Sequence, residues 1–318
     1  MENDFRRQLE QRARELAPWR YNHAHDGVVI SSDTSAAVGF DQYARGLMSD
    51  MVRVLLTGQE IRKLRATDLG CLEGHYSDIL CSLGMQEVVA IDLSDGHVRR
   101  AQFLLRDLKR YSNATVIQGN VSDEKTMSAL GRFNLIFFHG LLYHLKDPLK
   151  IFDVLEQIID PKGPSFLLLS TQYRCSYRTL ISPVPMGEMQ VKPLQAAHQT
   201  PGEKLLEDPS IGSVFERCSF ILNPAAVHRT LQLYGYKNIV AYDDPSGYSY
   251  SFNSNIIATK EPSPGLVDEL NPKVKIPGVR FYPWDGRSVN SYRFDRNPRA
   301  RVAKVISRAS GKMVELLK

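Results

Sequence analysis

Cysteine is scarce in this chain: four among 318 residues, at positions 71, 81, 175 and 218. They lie far apart with no paired spacing, which argues against a disulfide framework and against a zinc site. Long apolar runs are missing as well. No stretch approaches the 18 or so uninterrupted apolar residues of a membrane-spanning helix, and the densely charged segment from Met1 to Arg20 has no apolar signal core. These absences predict a cytoplasmic protein with no transmembrane segment. What remains is ordinary globular composition, 43% hydrophobic and 24% charged. The length suits one large domain with additions, or two domains.

Chemistry is concentrated in four segments. Asp68-Leu69-Gly70-Cys71-Leu72-Glu73-Gly74 joins an expected strand over 63–69 to an expected helix over about 75–83. A glycine turn lets a ligand approach the main chain, because no Cβ stands in the way. It also aims free helix N–H groups at that ligand. The acid at its head suits an ammonium group. The spacing Asp-x-Gly-x-x-x-Gly is not the Gly-x-Gly-x-x-Gly of nicotinamide enzymes, which disfavours a nicotinamide oxidoreductase. Cys71 reads as a small buried packing residue rather than a nucleophile.

The second segment, Glu87 to Asp92, is a short apolar run ending in an acid. In nucleotide-binding α/β folds an acid at that place, about 20 residues past the first glycine, accepts hydrogen bonds from ribose hydroxyls. Asp92, with Leu93 beside it, is the candidate; a surface turn is the plainer alternative. Ala114 to Ile117 reads as a third strand and leads to Gly119-Asn120-Val121. A fourth strand, Leu135 to Phe138, runs through His139 into the elbow Gly140-Leu141-Leu142-Tyr143-His144. A helix follows, capped by Asp147 with Pro148 at its first position.

These segments resemble the class I S-adenosylmethionine-dependent methyltransferases. The resemblance implies S-adenosyl-L-methionine as cofactor. It assigns Asp68, Gly70, Cys71 and Gly74 to the amino-acid half and Asp92 to the ribose, with Leu93 beside it among the cofactor-binding residues. It assigns Asn120 and Val121 to the adenine, with Asn120 in place of the commoner Asp; an amide still serves, since it donates and accepts. His139 would pack near the adenine. The elbow followed by Lys146-Asp147-Pro148 is similar to a subgroup that includes tRNA wobble-uridine carboxymethyltransferases and many small-molecule methyltransferases. The Gly-Cys-Leu-Glu-Gly form of the turn also occurs there. The resemblance covers roughly residues 64–171, with a weaker match over 223–259.

Alternating strands and helices predict an α/β fold: a doubly wound, mostly parallel, Rossmann-like sheet whose last strand is antiparallel. The expected organisation is an N-terminal helical lid segment over 1–60 and a cofactor-binding core over 61–171. A substrate-side cap insertion follows over 172–222, then the end of the core over 223–260 and a basic C-terminal extension over 261–318. The plainer reading of the first segment is that it only packs on the sheet edge. Helices are expected over 4–16, 40–56 and 224–234, and a final antiparallel strand pair over 236–242 and 250–259. From Lys273 to Lys318 twelve Lys or Arg face three acids, a net of +9, so the 272 residues before it hold −4 of the +5 total. Residues 297–317 place an apolar stripe on one face of a basic helix. Docking on the acidic body, a membrane surface or disorder are the readings of that tail.

Methyl transfer from a sulfonium is an in-line displacement, so the protein mainly aligns nucleophile and methyl. A base is needed only where the nucleophile carries a proton at neutral pH. Tyr143, His144 and His139 are the candidate catalytic residues. Tyr143 is a candidate contact to substrate or cofactor, with a hydroxyl able to donate to an anion. His144 serves as a base or packs under the elbow. Arg20, Arg174 and Arg178 are further candidates for holding an anion, or solvated charges. The leading expectation is methylation of a small-molecule acceptor at oxygen or nitrogen. A tRNA-modifying methyl- or carboxymethyltransferase, with the basic tail meeting RNA or another anionic surface, is the second. A non-catalytic cofactor-binding protein is the third.

Overall fold

The short continuous apolar runs become the centre of one eight-stranded sheet. The computed structural model describes residues 2–32, 40–145, 147–172, 192–194, 207–208, 213–214, 219–222, 224–242, 253–261, 263, 265–277 and 279–286. Helix α1 (Glu2–Glu15) precedes a hairpin of β1 (His23–His25) and β2 (Val28–Ile30), and α2 is Phe40–Leu55. The core follows as β3 (Arg65–Leu69), α3 (His75–Ser82), β4 (Glu87–Asp92), α4 (Asp95–Gln102), β5 (Ala114–Gln118), α5 (Glu124–Ala129), β6 (Leu135–His139), α6 (Lys150–Ile158) and β7 (Phe166–Gln172). Helix α4 continues through Phe103–Leu108 as a wider π turn.

Between 192 and 221 lie two short antiparallel pairs, β8 (Lys192–Leu194) with β11 (Ser219–Ile221) and β9 (Glu207–Asp208) with β10 (Ser213–Val214). Then come α7 (Pro224–Leu233), β12 (Asn238–Tyr242), β13 (Asn253–Thr259), α8 (Leu266–Lys273) and β14 (Phe281–Pro283).

The sheet order is β14-β12-β13-β7-β6-β3-β4-β5. Strands β3 to β7 pair in parallel, and β13 enters antiparallel between β7 and β12. The strands carry near-continuous apolar runs because helices cover both faces. Alternate residues serve opposite faces. Leu135 and Phe137 join the core beside α2, α3 and α4, with Met51, Ile79, Leu80 and Leu104. Ile136 and Phe138 join the core beside α5, α6 and α7, with Met127, Phe152, Leu155 and Leu231.

The antiparallel pairing of the last strands is as expected, Ile239 opposite Ala258. Three details differ. Helix α6 begins at Lys150 rather than at Pro148 and its N-cap position is Leu149, not Asp147; Asp147 Oδ1 accepts from the N–H groups of Leu149 and Lys150, both at 3.2 Å, where the chain turns into the helix. A turn at Ile61–Lys63 replaces the start of the first strand. Past residue 261 the chain returns to the sheet, with β14 antiparallel to β12 and Phe281 and Trp284 buried. That return was hidden in sequence because α8 holds Pro272 and β14 is only three residues long. The expected helix over 297–317 and most of the expected cap, with Arg174, Arg178, Cys175 and Cys218, lie outside the described residues. Among the described residues no helix is long and apolar enough to cross a membrane.

Candidate functional site

Strand order sets where a ligand fits. The chain leaves β3 toward β4 on one side of the sheet and leaves β6 toward β7 on the other. Loops that part in opposite directions from adjacent parallel strands leave a crevice at the carboxyl ends. Those two loops are the glycine turn 70–74 and the elbow 140–144. They touch: a Cβ on Gly70 would lie 2.9 Å from Cδ2 of Leu141. Gly70 also has φ +75°, so glycine is required there twice over.

The turn is fixed by its neighbours on the sheet. The N–H groups of Gly70 and Cys71 both donate to the carbonyl of Ile91, at 2.9 and 3.0 Å. Leu72 has the left-handed φ of +50°, rare for a residue with a Cβ. Its N–H donates to Asp92 Oδ2 at 2.9 Å. Gly74, at φ +87°, opens α3, and a Cβ there would meet Ala101 and Leu105 at 3.3 Å. The second glycine thus lets α3 and α4 pack closely.

Asp92 is buried, with 6% exposure. Its Oδ1 accepts from the Ser94 N–H at 2.9 Å and lies 3.1 Å from His97 Nδ1. This carboxylate is therefore oriented by main chain on both oxygens. Asp68 lies deeper still, at 2% exposure, and Ser77 Oγ donates to its Oδ2 at 2.6 Å. Burial pushes the Asp68 carboxyl up to about 7; the Ser77 hydroxyl opposes that rise and the charge of Asp92 adds to it. A carboxylate so short of compensation favours a cationic neighbour. Burial also holds the Cys71 thiol well above its usual range, in keeping with a packing role.

The remaining residues divide into two groups. Gly119 donates to the carbonyl of Asp92 at 2.9 Å, so the 119–121 turn sits beside the end of β4. Val121 is buried, whereas Asn120 is exposed and its Oδ1 accepts from Ser122 N at 2.9 Å. Leu93 is 42% exposed, an apolar surface at the strand end. In the elbow, Gly140 has φ +72° and donates to the Ser170 carbonyl at 2.8 Å. The Tyr143 hydroxyl comes within 3.6 Å of where a Gly140 Cβ would be. The Tyr143 and His144 rings lie 4.2 Å apart, and strand β11 runs against this elbow. His144 is buried; burial first, and the Arg20 charge second, push its imidazole down to about 4. His139 is half-buried, 4.9 Å from the Tyr76 ring and 5.5 Å from Phe137.

Several site residues carried no sequence signal. Ser77 sits nine residues past Asp68, and only the helix geometry of α3 returns it to that acid. His97 holds Asp92 from the first turn of α4. Glu73 stands inside the glycine turn, yet its partners lie some fifty residues upstream: its carboxylate accepts from Arg20 N at 2.8 Å and Tyr21 N at 2.6 Å. His23 Nε2 lies 3.3 Å from it. Tyr21 in turn stacks on His75, with ring centroids 4.3 Å apart. Burial drives the His75 imidazole well below its ordinary value, so it is neutral at pH 7 and packs as an apolar ring.

Residues 62–180 match the model of a family described as "Methyltransferase domain". A tRNA U34 carboxymethyltransferase of Campylobacter curvus (strain 525.92) is 22% identical over 156 residues, 49% of this chain and 47% of that protein. The chain thus spans about half the length of that curated relative. Among solved structures, the N-terminal domain of EvdMO1 with SAH bound superposes with a TM-score of 0.59 at 19% identity, covering 81% of this chain and 97% of that one. The same domain in the presence of SAH and D-fucose gives 0.59 at 20% identity over the same shares. At these identities the likeness is one of fold.

Proposed function

We propose that this chain, whose residues 62–180 match a methyltransferase-domain model, is a class I S-adenosylmethionine-dependent methyltransferase that transfers a methyl group to a small-molecule acceptor at oxygen or nitrogen. The observation that carries the reading is convergence. Two acids, a glycine turn in left-handed conformation and an elbow with two aromatic rings all meet at the crevice between β3 and β6. Unrelated turn residues have no reason to gather at one switch point.

The residues fit the cofactor. Asp68 is an acid whose ionisation is opposed by burial, and an ammonium group would relieve it. The turn 70–74 offers main-chain approach, and Asp92 is oriented toward ribose hydroxyls by Leu72, Ser94 and His97. Leu93 and Val121 supply apolar surface for the adenine, with Asn120 at its edge. When bound, S-adenosylmethionine supplies an already activated methyl. The chain's own residues then align the acceptor and exclude water. Tyr143 borders the reacting group from the elbow. His144, neutral at pH 7, is able to accept a proton from an acceptor hydroxyl or amine.

Isothermal calorimetry with S-adenosylmethionine and with SAH tests the reading. Binding of either with a Kd below about 100 µM, some −5.5 kcal/mol, is expected. Absence of binding for both rejects it. A second reading, RNA modification, is favoured by the match to a tRNA-modifying enzyme. It requires RNA binding that weakens steeply with salt.

A further inference from the structure

We infer that Glu73 is a positioning residue for the cofactor turn, clamping the N-terminal segment against it and so holding Leu72 in its strained conformation; this rests on the cofactor reading above. The turn has a single non-glycine residue with positive φ, Leu72 at +50°. Such a conformation is unfavourable for a residue with a Cβ, which crowds the following carbonyl. It persists only where the surroundings over-determine it.

The two sides of Leu72 are fixed differently. On one side, its N–H donates to Asp92 Oδ2 at 2.9 Å. On the other, the next residue is Glu73, 3% exposed, whose carboxylate collects the N–H groups of Arg20 and Tyr21 and the His23 imidazole. A buried carboxylate that accepts two main-chain N–H groups, with an imidazole nitrogen at 3.3 Å, is costly to move, because any displacement leaves it short of partners. The segment that supplies those donors is itself anchored. Trp19 Nε1 donates to the Ala13 carbonyl at 2.8 Å, and its ring packs 6.0 Å from Phe103. Tyr21 stacks on His75, and Lys109 Nζ donates to the Ala24 carbonyl at 2.9 Å.

Residues 19–24 are thus a wall of the site rather than a covering of the sheet edge. Glu73 carries hydrogen bonds from this segment into the turn. A ligand that binds the turn in its present shape must tighten the clamp, and loosening the clamp must weaken the ligand by the same factor.

The experiment is a double-mutant cycle read by SAH calorimetry on the full chain. Glu73→Gln keeps the shape but removes the charge and sets an amide NH2 against N–H donors. We expect it to weaken SAH binding at least tenfold. In a Leu72→Gly background, where the left-handed turn needs no clamp, the same change should weaken it less than threefold. Unchanged SAH affinity in Glu73→Gln overturns the inference, and so does an equal loss in both backgrounds, which would place its effect outside the turn. Hydrogen exchange on the unmutated protein decides if Glu73→Gln does not fold. SAH should slow the Arg20 and Tyr21 amides at least tenfold, and unchanged exchange with SAH bound defeats the proposal. If the unmutated protein does not bind SAH at all, the cofactor reading fails instead.

Discussion

The glycine turn and the elbow lie side by side, yet they are held by different means. The turn is fixed by polar bonds to β4 and to the N-terminal segment, and the two acids beside it are held in their turn by α3 and α4. The elbow is shaped by its own short helical turn, a main-chain bond to β7 and ring packing between Tyr143 and His144. A turn fixed through charged hydrogen bonds defines one ligand pose closely. An elbow fixed through packing sets a wall, and its specificity depends on what the wall faces. This division suits an enzyme with an invariable cofactor on one side and an acceptor on the other.

The largest effect should come from the turn. Asp92→Ala removes the acceptor for Leu72 N and Ser94 N along with the proposed ribose contact. Losing one hydrogen bond to a charged group costs about 1.5–3 kcal/mol. We therefore expect SAH affinity to fall thirty- to a hundredfold or more in calorimetry. A loss below fivefold would break the comparison, because the turn would then be no better determined than the elbow.

Asp68 tests the same side through pH. Its folded-state carboxyl is raised from 3.8 to about 7, chiefly by burial. The contribution it makes to stability is therefore complete below pH 3.8 and is lost as pH rises through about 7. Asp68→Asn removes that penalty. The variant should be more stable than the unmutated protein by on the order of 2 kcal/mol at pH 8, a fraction of the penalty implied by the shift. The advantage should vanish toward pH 4. It should also bind SAH more weakly, since the ammonium loses its charged partner. Melting curves from pH 4 to about 8 give the first outcome; a gap that does not change with pH contradicts the buried-acid account.

The same division explains what was legible in the sequence. Glycine spacing, an acid at each strand end and apolar runs are local patterns, so Asp68, Gly70, Gly74 and Asp92 stood out before any coordinates. A mostly parallel sheet followed, because alternating strands and helices leave few topologies; its strand order did not. Ser77 was not legible, since a serine in the first turn of a helix is commonplace and nothing in the sequence ties it to Asp68. Glu73 was invisible for a different reason: it takes main-chain donors, and a main-chain N–H has no residue type to betray it. Strand β14 escaped because three residues carry no measurable period. Gly70 teaches a further point. Its need for positive φ could be guessed from the turn, but the contact with Leu141 that forbids a side chain joins residues 71 positions apart.

The elbow should give smaller effects, and these should appear in turnover rather than affinity. Once an acceptor is in hand, Tyr143→Phe removes one hydroxyl while keeping the ring that packs on His144. A single neutral hydrogen bond is worth about 0.5–1.5 kcal/mol, so kcat should fall no more than about tenfold with SAH affinity unchanged. The pH dependence that His144 imposes should be slight within the usual pH range. Its folded-state imidazole is lowered from 6.5 to about 4, first by burial and then by the Arg20 charge. It is therefore neutral above about pH 5, and protonating it destabilises the fold only as pH drops from 6.5 toward 4. A base with that pKa gives a kcat profile that is flat from about pH 5.5 to neutrality. A limb near 6.5 that disappears in His144→Gln would show instead that the imidazole is exposed to solvent in the working enzyme, and the elbow would then be an open mouth rather than a packed wall.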